Sequence, residues 1–111
     1  MSDAVEAREL ALALPEAVEQ DHHGMASFRV RGTIFATLPE DEHLRVMVDE
    51  SEIRAAVAEH PEICAEVWWG RRLSAVAVTL PAASADLVRE LLTEAWLRRA
   101  PKTLAAGFRL R

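Results

Sequence analysis

Three strand-like runs, residues 27–31, 33–38 and 43–48, follow one another with only Gly32 and the tetrapeptide "PEDE" between them. Connections this short join antiparallel neighbours, because a parallel return needs a crossover of a dozen or more residues. Ahead of this meander, residues 17–21 offer a short additional strand. Before that, Val5, Leu10, Leu12 and Leu14 with four alanines make a helix that Pro15 stops. A D-x-x-E capping box of Asp3 and Glu6 opens it, and a second box, Asp49 with Glu52, opens a helix over residues 49–59 that ends ahead of Pro61.

Residues 63–69 and 73–80 read as a hairpin through Gly70. Ser84 then opens the best helix in the chain, whose Leu87, Val88, Leu91, Leu92, Ala95 and Trp96 form one apolar stripe. Pro101 interrupts it and starts a short last helix over residues 102–106. Helix, meander, helix, hairpin and helix in that order predict an α+β fold: one largely antiparallel sheet of four to six strands, with helices packed on one side. At 111 residues the chain is a single domain, 1–111, long enough to bury one core.

The register of the first hairpin decides what its arginines face. A two-residue turn at Arg31-Gly32 or Gly32-Thr33 puts Phe28, Val30 and Phe35 on one face and leaves Arg29 and Arg31 beside Ile34 and Ala36. A three-residue turn groups Phe28, Val30, Ile34, Ala36 and Leu38, and sets Arg29 and Arg31 outside beside Phe35 and Thr37. Only the second gives a cleanly apolar inner face, and it is the register predicted.

The net charge of −5 disfavours a generic nucleic-acid or membrane binder, which normally carries a basic excess. The average hides a split. Residues 1–66 hold 5 Arg against 15 Asp/Glu, a net of −10, whereas residues 67–111 hold 7 Arg and 1 Lys against 3 Asp/Glu, a net of +5. Such a division fits either a face that meets a polyanion or intramolecular complementarity between the halves. The N-terminal segment has no basic n-region and carries Asp3, Glu6 and Glu9, so neither a signal peptide nor a membrane span is expected. The single cysteine, Cys64, fits a reducing compartment, and a cytoplasmic location follows.

Asp21, His22, His23, His43, His60 and Cys64 are metal-ligand residue types, but neighbours in a strand point to opposite faces and Pro61 breaks the helix that would align His60 with Cys64. No metal and no cofactor are expected. No Gly-rich elbow surrounds Ser27, Ser51, Ser74 or Ser84, and Gly24, Gly32, Gly70 and Gly107 are scattered, so the chain is read as a non-enzyme. "EVWWGRRLS" is the most distinctive local feature. In an extended strand Trp68 and Trp69 face opposite ways, so one can seat in the core while the other lies outside near Arg71 and Arg72, where it can stack a base beside a held phosphate.

These segments together resemble the MmcQ/YjbR-like family of small bacterial proteins. "LALALPEAVEQDHHGMASFRVRGTIFAT" is similar to its N-terminal signature of a helix ending in Leu-Pro, then His-Gly, Ser-Phe-Arg-Val and Ile-Phe-Ala. "VWWGRRLS" resembles its Trp-Gly-Arg segment, and "LLTEAWLRRAPKTLAA" its closing helix with Ala-Pro-Lys. The resemblance implies an α+β fold of the CyaY-like or double-wing type and a DNA-binding role, a label resting on fold analogy. What carries over from the resemblance is Arg29, Trp69, Gly70, Arg71 and Lys102; with Arg31 and Arg72 added from this sequence, phosphate contacts are expected at Arg29, Arg31, Arg71, Arg72 and Lys102, with Trp69 as a stacking platform. Ala26 stands where the family often has proline, and Thr33 and Met47 where lysine is expected, with Arg31, Arg45 and Arg72 as substitutes. A small ligand or a partner protein, bound on the concave side of the same sheet with the Trp side chains and His23 as lining, is the alternative.

Overall fold

In the computed structural model, which describes residues 1–109, the meander is the middle of a larger sheet. The elements run α1 (Ala4–Leu12), β1 (Ala17–His22), β2 (Met25–Val30), β3 (Thr33–Glu40), β4 (His43–Val46), α2 (Glu50–Glu59), β5 (Cys64–Trp69), β6 (Arg72–Thr79), a 3-10 turn (Leu80–Ala82), α3 (Ala85–Arg99) and α4 (Lys102–Arg109). Among the described residues the sheet has six strands in the order β1-β2-β3-β4-β6-β5, every pair antiparallel. The α+β architecture expected from the sequence is the one observed. No helix among these residues is long and apolar enough to cross a membrane.

Local chemistry sets the element boundaries. Asp3, Asp49 and Ser84 each accept a hydrogen bond from the backbone N–H three residues on, at 2.8, 2.9 and 3.1 Å, so each of the first three helices starts on a side-chain cap. The β1–β2 and β2–β3 turns are tight because His23-Gly24 and Arg31-Gly32 both take positive φ, 54° and 87°, then 49° and 82°. That pairing of angles matches the right-handed twist of the flanking strands.

The β2–β3 register is neither of the two uniform registers read from the sequence. The two-residue turn pairs Val30 with Thr33 and Arg29 with Ile34, yet Phe28 pairs with Ala36. Phe35 is the extra residue of a β-bulge. A bulge lets two successive residues point to one side, and Phe35 and Ala36 are both fully buried, 0% exposed. Thus the expectation that Ile34 sits inside and Phe35 outside is corrected: the bulge turns Phe35 into the core and leaves Ile34 on the opposite face. The tight two-residue turn and the burial of both Phe28 and Phe35 are satisfied together, in place of the three-residue turn expected.

The helix-side face is a closed apolar layer of Phe28, Val30, Leu44, Val46, Val76 and Val78, all 0% exposed, against Ile53 of α2 and Val88 and Leu92 of α3. At about 25 cal/mol per Å² of apolar area, each such side chain contributes roughly 1.5–3 kcal/mol on leaving water. Trp96 on α3 closes this layer, donating its indole N–H to the Pro15 carbonyl at 3.0 Å and packing on Phe108 of α4. Ser2 ties the N-terminus to the 3-10 turn through bonds to the Leu80 and Ala83 carbonyls, both 3.1 Å. With the helices on one face, the other face is left to do something else.

Candidate ligand-binding site

Alternation along the strands puts Ser27 and Arg29 of β2, Ile34 and Thr37 of β3 and Arg45 of β4 on the helix-free face. Met47 follows β4 on the same face. His22 and Met25, paired across the β1–β2 hairpin, line one end of a cleft there, and Trp69 from the opposite edge strand lines the other. Residues from the two ends of a six-stranded sheet can share one cleft only if the sheet curls toward it. The cleft has a volume of about 620 Å³. Its floor is apolar, with Ile34 and Met25 half-buried and Met47 4% exposed although Met47 is outside the helix-side core.

The cleft's polar groups are all neutral or basic. Thr33, Thr37, His22 and His23 supply hydroxyls and imidazoles, and Arg45 and Arg99 supply charge; among the described residues no carboxylate lines it. The two imidazoles meet edge to face with centroids 4.5 Å apart. Arg99 comes from the last turn of α3. Its Nε is buried without a hydrogen-bond partner, and burial, with Arg98 and Arg72 nearby, pushes its pKa below the usual arginine value. It stays charged regardless, since a guanidinium does not lose its proton near neutrality.

The six residues implied as nucleic-acid contacts do not assemble into one surface. Trp69 and Arg72 are cross-strand partners at the cleft's rim, and Arg71 projects from the adjoining turn, exposed. Arg29 lies on the right face but half-buried, its Nε donating to Ser27 Oγ at 3.1 Å. Arg31 is held away by Glu16 through paired hydrogen bonds; Nη2 lies 2.9 Å from the carboxylate. That pairing draws the Glu16 carboxyl below its ordinary range and raises Arg31 above its own. Lys102 sits at the start of α4 beside Leu97 and Arg98, outside the cleft.

The tryptophan expectation also needs correction. Trp68 and Trp69 do face opposite ways, but neither seats in the core: they are 47% and 52% exposed. β5 is an edge strand, and its Trp68 only reaches the rim of the helix side, donating to Glu66 at 3.1 Å. Sequence reasoning missed Arg99, Ile34 and Met47 as lining. Arg45 and Met47 could have been found by continuing the strand alternation past Thr37, whereas nothing local says that the end of α3 reaches the sheet's free face.

Among the described residues the Arg–carboxylate pairs are Arg8–Glu19, Arg31–Glu16, Arg54–Glu66 and Arg89–Asp86. None joins residues 1–66 to the rest, so ion pairing between the halves does not explain the charge split. No three His, Cys, Asp or Glu side chains among these residues group closely enough to hold a metal ion. Cys64 is 3% exposed, and burial raises its thiol pKa.

A search of curated proteins finds no match. Among solved structures, the chain is similar to the crystal structure of Deinococcus radiodurans protein DR2400, which carries the domain DUF419: the TM-score is 0.73, the identity 22%, and the match covers 88% of this chain and 78% of that one. A likeness at that identity speaks for the fold alone. The family model YjbR matches residues 12–98, from the end of α1 through nearly all of α3 and including every strand, so the chain belongs to the YjbR family.

Proposed function

We propose that this chain is a non-enzymatic binding module that takes an anionic ligand on the concave, helix-free face of its sheet. One observation carries the reading: among the described residues, the cleft contains Arg45 and Arg99 and no carboxylate. In an acidic protein, two cations left without acids in one concavity form a local field that attracts anions. A volume of about 620 Å³ is in the range of small-molecule sites. The non-enzymatic reading is supported by Cys64, whose buried, raised thiol makes a poor nucleophile.

The test is a titration of isotope-labelled protein with small anions, followed by nuclear magnetic resonance. Shifts should concentrate at Ile34, Thr37, Arg45, Met47 and the Trp69 indole, and should weaken in Arg45→Gln. Shifts confined to α2, or none at millimolar anion, would remove the reading.

A second reading, DNA binding, is favoured by Arg71 and Arg72, which among the described residues carry no carboxylate partner and stand exposed at the rim beside Trp69. Arg29, Arg31 and Lys102 add little to it, for the reasons of placement given above. If it holds, Arg71→Ala with Arg72→Ala weakens duplex binding equally for all sequences and flattens the slope of log affinity against log salt by about 0.9 for each phosphate no longer neutralised. Absence of salt-sensitive binding at low ionic strength would exclude it.

A further inference from the structure

We infer that the ligand of the cleft is a planar aromatic acid, with its ring against Trp69 and Met47 and its carboxylate or phosphate on Arg99. The inference rests on the anion-binding reading and narrows it to a chemical class. A bare anion needs only cations and hydroxyls, but most of this cleft is not polar: Met25, Ile34, Met47 and the Trp69 face give it an apolar floor and wall. Thioethers conform to flat rings and attract them, and an indole offers offset stacking. Trp69 is 52% exposed, so its indole is open to a ligand in the cleft.

The head group is assigned to Arg99 by two independent features. Arg99 is half-buried, lines the cleft and has no carboxylate partner among the described residues, and its neighbours Arg72 and Arg98 are of like charge. An acid arriving at this guanidinium relieves that repulsion. A charge-assisted bond to such a group is stronger than a neutral one. Thr37, buried at 4% exposure on the same face, supplies a hydroxyl within the lining and no charge. The shared chemistry, a ring bearing an acid, can come from a free metabolite or from the phosphorylated end of a nucleic-acid strand.

Calorimetry on the full chain with four probes tests this: naphthoate, its neutral amide, acetate, and inorganic phosphate. Naphthoate should bind at least about tenfold more tightly than the other three, given the worth of a charge-assisted bond. Arg99→Met and Trp69→Ala should each weaken it roughly tenfold, and Arg89→Ala should leave it unchanged. The Trp69 indole resonance of the native protein should move on adding naphthoate, a readout independent of any variant's folding. Acetate or phosphate binding as tightly as naphthoate overturns the aromatic assignment and leaves the anion-binding reading standing. The amide binding as tightly as the acid, or no probe binding at all, overturns both. Thymidine monophosphate binding more tightly than a thymidine dodecamer with a 5′-phosphate supports a free small molecule; the reverse order overturns it in favour of a strand.

Discussion

The Trp96 side chain is fully buried, donates to a carbonyl 81 residues away in sequence, and packs on a ring of the last helix with centroids 5.0 Å apart. Removing it leaves a large cavity and an unpaired Pro15 carbonyl, so Trp96→Ala should cost about 3–5 kcal/mol in urea denaturation. Trp68→Ala and Trp69→Ala should each cost under about 1 kcal/mol, since both indoles are about half in water. A large loss for either would mean that β5 is not an exposed edge. The burial of Trp96 was legible from the apolar stripe of its helix. The exposure of both neighbouring tryptophans was not, because alternation fixes which way a side chain points and says nothing about whether a layer lies there to cover it.

At the scale of elements, turn and bulge divide the work in the β2–β3 hairpin. Arg31 occupies the first position of the turn with a φ of 49°, a conformation that asparagine tolerates better. Its ion pair with Glu16 is exposed and contributes little. Arg31→Asn should therefore raise stability slightly in chemical denaturation, and a clear loss would show that the pair holds the turn. Between α2 and α3, burial first, then Asp49 and Glu94, raise the Glu52 carboxyl above its ordinary range. A raised carboxyl stabilises the fold fully below the unfolded value near pH 4, and that contribution is lost as pH rises through the folded value. Relative to the native chain, Glu52→Gln should thus gain stability between about pH 4 and 7, measured by chemical denaturation across that range. A gain on acidification instead would mean the carboxylate is favourably placed. Capping residues, prolines and turn glycines made most element boundaries readable in the sequence. The bulge at Phe35 was not readable, because it reconciles two local preferences that no uniform register satisfies.

The whole molecule separates stability from binding by face. Helices cover one side of the sheet and close the core there, while a cleft opens on the other, and among the described residues no acid lines it beside Arg45 and Arg99. The charge split in the sequence did not locate this surface: Arg45 comes from the acidic half, and tertiary packing carries Arg99 there from the end of α3. If the cleft exists to hold an acid, Arg99 sits where it serves the ligand at the fold's expense. Its orphaned Nε costs about 1–3 kcal/mol before discounting for the exposed remainder of the side chain. Against that stands the favourable position of a cation at a helix C-terminus, about 0.3–1 kcal/mol.

Arg99→Met, which keeps the aliphatic stem, is the variant that weighs these terms, measured for thermal stability and naphthoate affinity on the same sample. The expected result is a protein at least as stable as the native chain, up to about 1 kcal/mol more, whose affinity is weakened about tenfold. A destabilised variant that binds naphthoate as well as the native protein would contradict an acid-binding role for Arg99.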